Sequence, residues 1–412
     1  MIHFSRFTLD NGLRVIHHHD PHTPMVALDL LYDVGARDEA PELTGMAHLF
    51  EHLMFGGSQN IPEFDTAIEN AGGWNNAWTS NDFTNFYDVV PAVNAETAFW
   101  LESDRMLALA FSPKALEVQR KVVSEEFKQV CLNKPYGDMA HHLRRTLYTT
   151  HPYAWPTIGK ELGHIEKVTD DDVRHWFYAH YAPNNAVLAV AGNLSADDTR
   201  RLAEKWFGPI PRRDIARRSY LPEPIKEAPV TIEVEGRVPQ TLVTVAFPMA
   251  AYGEEGYVEA DLITDLLASG RSARFHRNLV MRHQLFTRAD ASIAGSEEPG
   301  FLMLNAAISA NDTSSIEQAR KLMVDEALRL AAAGDVTAHE LERAVNRFES
   351  NATFNAMSYL MKAQQLAMAE MHGEDINDTV PRYRAVTTDS VRTTAARVLD
   401  PSRAVTLIYR PA

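Results

Sequence analysis

The segment Ala47-His48-Leu49-Phe50-Glu51-His52-Leu53-Met54-Phe55 sets two imidazoles and a carboxylate into an apolar run without Pro or Gly. At i and i+4, His48 and His52 share one face of a helix, and Glu51, at i+3 from His48, shares it too. Two imidazoles so spaced can grip one divalent cation. Zinc suits imidazole and carboxylate ligands, and its catalytic sites keep one position open for water. Glu51 could reach that water. Leu49, Phe50, Leu53, Met54 and Phe55 would draw the helix into a core, where polar groups are costly unless paired or bound to metal. The competing reading is a plain helix that carries two histidines and an acid.

Two histidines leave a metal short of a third protein ligand. The best donor region is Leu116-Glu117-Val118-Gln119-Arg120-Lys121-Val122-Val123-Ser124-Glu125-Glu126-Phe127. Its apolar positions 116, 123 and 127 repeat helically, joined by Val122. Period alone does not choose among the acids. Glu126 neighbours the apolar stripe and can point inward, while Glu125 lies nearer solvent. A surface charge pair is the alternative.

These helices need a scaffold, and the chain supplies one twice. Val168-Thr169-Asp170-Asp171-Asp172-Val173-Arg174 recurs as Val386-Thr387-Thr388-Asp389-Ser390-Val391-Arg392, and Ala186-Val187 recurs as Ala404-Val405. The offset is a constant 218 (386 − 168 and 404 − 186). Each copy reads as a capped helix followed by an apolar strand. The first half opens with a hairpin, Phe7 to Ile16, turning at Asn11-Gly12. A strand from Met25 to Leu31 follows. The second half opens with strands Val230 to Val234 and Thr241 to Phe247, then a helix from Gly256 to Ala268. Pro- and Arg-rich composition marks 211–221 as a linker between domains 1–210 and 222–412. In the second half, Ala260 to Leu267 matches Ala47 to Met54. It keeps the leucines at 49/262 and 53/266, and replaces His48, Glu51 and His52 by Asp261, Thr264 and Asp265. A duplicate that lacks the polar trio implies that the fold does not need it.

Composition narrows the function classes. A chain of 412 residues with 45% hydrophobic content accommodates two or three domains with sizeable cores. A net charge of −15 argues against nucleic acid as partner. Cys131 is the single cysteine, so no intrachain disulfide is possible. The N-terminal residues show no signal-peptide pattern, and no stretch approaches the roughly 18 apolar residues of a membrane span. A cytoplasmic location is expected, or a periplasmic one if a leader has been removed. His17-His18-His19 and His22 read as a solvated loop, and Met357, Met361, Met368 and Met371 as a core-facing stripe.

The chain resembles the pitrilysin-type, His-x-x-Glu-His metallopeptidases, a family that includes insulin-degrading enzyme, the mitochondrial processing peptidase and short bacterial members. The resemblance spans nearly the whole chain. Leu9-Asp10-Asn11-Gly12-Leu13-Arg14-Val15 and Gly45 to Phe55 carry it, with Gly72-Gly73-Trp74-Asn75-Asn76-Ala77-Trp78-Thr79, Asp82-Phe83-Thr84, His151-Pro152-Tyr153 and Tyr181-Ala182-Pro183-Asn184-Asn185. It implies an α+β fold of two homologous domains, each a mostly antiparallel sheet packed with helices. It implies one Zn2+ per chain on His48, His52 and Glu126, with Glu51 as general base. Gln119 stands where relatives often place a glutamate beside a ligand histidine. Asn76, Ala77 and Thr79 match a substrate-binding edge strand that pairs with peptide backbone.

One departure matters. Relatives supply an arginine and, seven residues on, a tyrosine from the C-terminal half, but Val280 and Thr287 hold those positions here. The implied function is therefore zinc-dependent endopeptidase action on short or unfolded polypeptides. It would occur in a clam-shell dimer, either a homodimer or a heterodimer whose homologous subunit supplies the missing pair. The alternative is a non-catalytic assembly or scaffold subunit.

Overall fold

The computed structural model describes residues 1–215 and 220–412, so part of the expected linker, 216–219, lies outside the described residues. The chain forms two compact units, each with its own sheet. Among the described residues, no helix is long and apolar enough to cross a membrane.

The first unit comprises Met1–Lys128, Trp155–Tyr220 and Ala352–Thr379. Its strands are β1 (Ser5–Thr8), β2 (Arg14–His19), β3 (Met25–Tyr32), β4 (Trp74–Thr79), β5 (Thr84–Pro91) and β6 (Ala186–Gly192). They lie in the order β1-β2-β6-β3-β5-β4, so β4 closes one edge. Only β2 and β6 run parallel; the other neighbours are antiparallel. β3 is buried on both faces, which explains its nearly continuous apolar sequence. Its exception, Asp29, accepts a hydrogen bond from Asn85 (2.9 Å), and burial pushes its carboxyl up to about 8. One face is covered by the helix Tyr359–His372, which inserts Ala363, Leu366 and Ala367 against Ala27, Leu31 and Ala189.

The second unit comprises Gln129–Ala154, Leu221–Asn351 and Val380–Ala412. β7 (Val230–Gly236), β8 (Thr241–Pro248), β9 (Phe286–Ala294), β10 (Phe301–Ile308) and β11 (Val405–Pro411) pair in the order β7-β11-β8-β10-β9. Again one pair alone is parallel, β7 with β11. The expected α+β architecture of mostly antiparallel sheets under helices is therefore what the chain adopts.

The duplication is visible in the caps. Thr169 caps Asp170–His180 in a reciprocal capping box with Asp172, and Thr387 caps Thr388–Val398 in the same way with Ser390. A short 3-10 turn and a strand, β6 or β11, follow each helix.

The compact units differ from the halves 1–210 and 222–412. Segment 352–379 belongs to the first unit and 129–154 to the second. The apolar stripe of a helix states that it must be buried, not against which sheet.

Two expectations need correction. His17, His18 and His19 lie in β2 rather than a loop, and His17 is buried, donating from Nε2 to the Leu194 carbonyl (2.8 Å). Of the methionine stripe, Met368 and Met371 pack on the core, but Met357 and Met361 are exposed. Met357 precedes the Ser358 cap, so helical spacing does not extend through it.

Candidate metal centre

The histidine helix, Met46–Leu53, carries apolar side chains at 46, 49, 50 and 53, all buried. That stripe faces the unit's interior, where Phe50 stacks on Tyr181 with ring centroids 4.6 Å apart. His48, Glu51 and His52 occupy the opposite, half-buried face.

The helix begins at Gly45, whose φ of 87° is left-handed and which offers no side-chain cap. An outside residue takes that role. Buried Glu39 accepts the Gly45 and Ala47 amides, both at 2.9 Å, and the Trp155 indole N–H at 3.0 Å. Burial pushes its carboxyl up to about 8, while the three donors favour the anion. Sequence reading missed Glu39. Its signal was the glycine at the cap position, Gly45, which has no side chain to accept and leaves orphan amides in need of an acceptor.

Glu126 comes from the helix Pro113–Phe127, which starts with Ser112 as cap and Pro113 in its first turn. Leu116, Val123 and Phe127 bury one face, and Arg120 holds the helix by donating to the Val168 carbonyl (2.9 Å). Glu126 Oε2 reaches His48 Nε2 at 3.7 Å and His52 Nε2 at 3.5 Å. Glu125 is exposed and pairs with Lys128 instead.

His48, His52 and Glu126 each offer a ligand atom, all within 4.8 Å of one another, and no other such group occurs among the described residues. The donor set suits one zinc-like ion, which would draw the three atoms together. Burial lowers the pKa of His48 and so favours the neutral form that ligates metal. Its buried Nδ1 has no hydrogen-bond partner. His52 is raised, first by its bond to Glu126 and also by Gln119, and Glu126 is lowered, first by the same bond to His52. Burial raises Glu51, which makes it a stronger base.

Asn76, Ala77 and Thr79 all lie on β4, the edge strand. Thr79 does more than sequence reading assigned to it: its hydroxyl donates to Glu51 Oε2 at 2.5 Å. Asn76 accepts the Ala77 amide through Oδ1 (2.8 Å). In the second unit, Val280 ends a π-helical turn against the core, and Thr287 sits exposed on β9, donating to Gln240.

Comparison with known proteins gives two family matches. "Insulinase (Peptidase family M16)" covers residues 14–161, and "Peptidase M16 inactive domain" covers residues 167–348. Zinc protease PqqE of Helicobacter pylori is 27% identical over 342 residues, 82% of this chain and 76% of that protein. A probable mitochondrial-processing peptidase subunit beta of Schizosaccharomyces pombe is 30% identical over 204 residues, 49% of this chain and 44% of that one. The crystal structure of a protease from Helicobacter pylori superposes with a TM-score of 0.93 over 100% of both chains at 24% identity, a likeness of fold.

Proposed function

The chain belongs to peptidase family M16, and from that premise we propose that it is a zinc-dependent endopeptidase acting on short or unfolded polypeptides. The observation that carries the reading is the convergence of His48, His52 and Glu126 with Glu51 on the same helical face. Zinc bound there would supply Lewis acidity, bringing the pKa of a water toward about 7 and polarising the scissile carbonyl. Glu51 takes the proton of the attacking water and delivers it to the leaving amine nitrogen. Thr79, through its hydrogen bond, keeps the Glu51 carboxylate turned toward that work. Because Thr79 lies on β4, an extended peptide adding to that free edge is aligned by the same strand that orients the base.

Val280 and Thr287 support a second subunit. Val280 has no donor and the Thr287 hydroxyl already donates to Gln240, so neither replaces an arginine or a tyrosine at a substrate carbonyl, and loss of such donors costs on the order of 10²–10³ in rate. A homologous subunit supplying them, in a heterodimer or a homodimer, completes the reading. The same two residues, and the "inactive domain" match over 167–348, favour a second reading as a non-catalytic assembly subunit.

The test is cleavage of a mixed, unstructured peptide pool by the zinc-loaded chain, with Glu51→Gln as control. Peptidase activity should appear, alone or with a homologous partner, and fall by about 10²–10⁴ in the variant while zinc content stays the same. A folded, zinc-bound chain that cleaves nothing with any homologous partner would leave the assembly reading standing.

A further inference from the structure

We propose that the second unit carries a binding site for a small apolar carboxylate, separate from the metal centre. A cavity of about 360 Å³ opens among residues that all belong to that unit and shares none with the histidine site. Its size falls within the roughly 300–1,000 Å³ typical of small-molecule sites. Leu147, Pro248, Met249, Ile225 and Val398 give it apolar walls.

The polar groups of the walls divide into two sets. Most are already occupied. Glu223 accepts from the amides and hydroxyls of Thr149 and Thr150 and from the His151 amide, at 2.7–3.1 Å. Tyr148 donates to the Pro299 carbonyl (3.0 Å), and Arg397 donates to the Glu255 carbonyl (2.6 Å). Two cations are left over. Arg403 has a buried Nε without a hydrogen-bond partner. Lys226 forms no hydrogen bond or ion pair among the described residues.

An apolar chamber with two cations whose hydrogen-bonding capacity is unused among the described residues selects its ligand by chemistry; Asp400 attracts Arg403 by charge alone. A carboxylate fits the planar fork of Arg403 and the point charge of Lys226. Its apolar body then displaces water from the Met249 and Leu147 walls. A cationic ligand would meet two like charges, and a sugar would find few free polar groups. The same chemistry is carried by a free aliphatic acid and by the C-terminal residue of a peptide.

Calorimetric titration of the full chain with decanoate and with N-acetyl-leucine separates these sources, with N-acetyl-leucinamide as the uncharged control. Saturable binding of either acid is expected, and the tighter one identifies the source. Arg403→Gln combined with Lys226→Gln should weaken binding about tenfold or more, because charge-assisted bonds are lost. Met249→Trp, which fills the cavity, should abolish binding. Thermal melting of the double variant should stay near that of the parent, since neither side chain forms a hydrogen bond among the described residues and Arg403 loses only its charge attraction to Asp400. No saturation by either acid, equal binding of the amide, or undiminished binding by the double variant would overturn the proposal.

Discussion

The histidine helix and its counterpart in the second unit, Tyr257–Ala268, begin alike and do different things. Both start at a left-handed glycine, Gly45 (φ 87°) and Gly256 (φ 93°). Their burial patterns coincide at 47/260, 49/262, 50/263, 53/266 and 54/267, although the second helix starts two residues earlier in that register. The contrast lies in the polar positions. Asp261 accepts the Tyr383 hydroxyl at 2.6 Å, Thr264 donates to its own helix at the Asp261 carbonyl, and Asp265 bonds Ser269. Thr264 and Asp265 are satisfied by their own helix and its end, and Asp261 by one neutral hydroxyl from the helix Thr379–Arg384. His48, Glu51 and His52 turn toward groups on other elements, Glu126 and Thr79. The same helix is therefore stable with its polar face closed or left open to chemistry, and only the open version collects three ligand atoms.

Breaking the open version should have the largest effect. Glu126→Ala should lower zinc affinity by more than about 100-fold, beyond what loss of an outer partner costs. Because Glu126 is 38% exposed, the metal-free protein should melt almost unchanged. Equilibrium zinc competition and melting curves measure both. Next is Glu39→Ala, which strands two helix amides and leaves the Trp155 indole only the Ala36 carbonyl. A loss of about 2–3 kcal/mol is expected in urea unfolding, with weaker zinc binding because the helix start is no longer held.

Converting the closed version is the sharper test. Asp261→His, Thr264→Glu and Asp265→His together should create no zinc site, since among the described residues no third ligand group lies there. They should cost about 1–3 kcal/mol by leaving the Tyr383 hydroxyl unpartnered. High-affinity zinc uptake by this variant would show that the motif alone suffices.

Smaller effects follow. Glu223, like Glu39, receives backbone amides, and those donors with the Thr149 hydroxyl hold its carboxyl down to about 2 against burial, from 4.5. A depressed carboxylate stabilises the fold above its ordinary value and loses that contribution as pH falls toward 2. Glu223→Gln should therefore lower the melting temperature at pH 7, with the difference fading in acid. Gln119→Glu should raise zinc affinity by up to about tenfold, because a carboxylate makes the hydrogen-bonded His52 a better ligand.

Local rules made much of this readable in advance. The Asn11-Gly12 hairpin, the strands on both sides of the duplication and the Thr169 and Thr387 caps depend on residues a few positions apart, and each forms where spacing places it. Where reading failed, a distant partner was responsible. The histidine run stands at the end of a strand before a Pro-containing turn, which reads as a solvated loop, yet His17 is buried and bonded to the distant Leu194 carbonyl. The methionine spacing ran across the Ser358 cap, which leaves exposed Met357 outside the helix.

The sequence by itself determined the chemistry on offer: two imidazoles and a carboxylate on one helical face, because i, i+3 and i+4 spacing is a property of any helix. It also determined that the fold comes twice and that only one copy carries the trio. Tertiary structure alone decided which glutamate meets the histidines, that Thr79 on β4 holds Glu51, that Glu39 starts the helix, and that segment 352–379 packs with the first unit. Those outcomes join groups far apart along the chain. Their distances are set by how elements pack, and pattern within any one element carries no record of that.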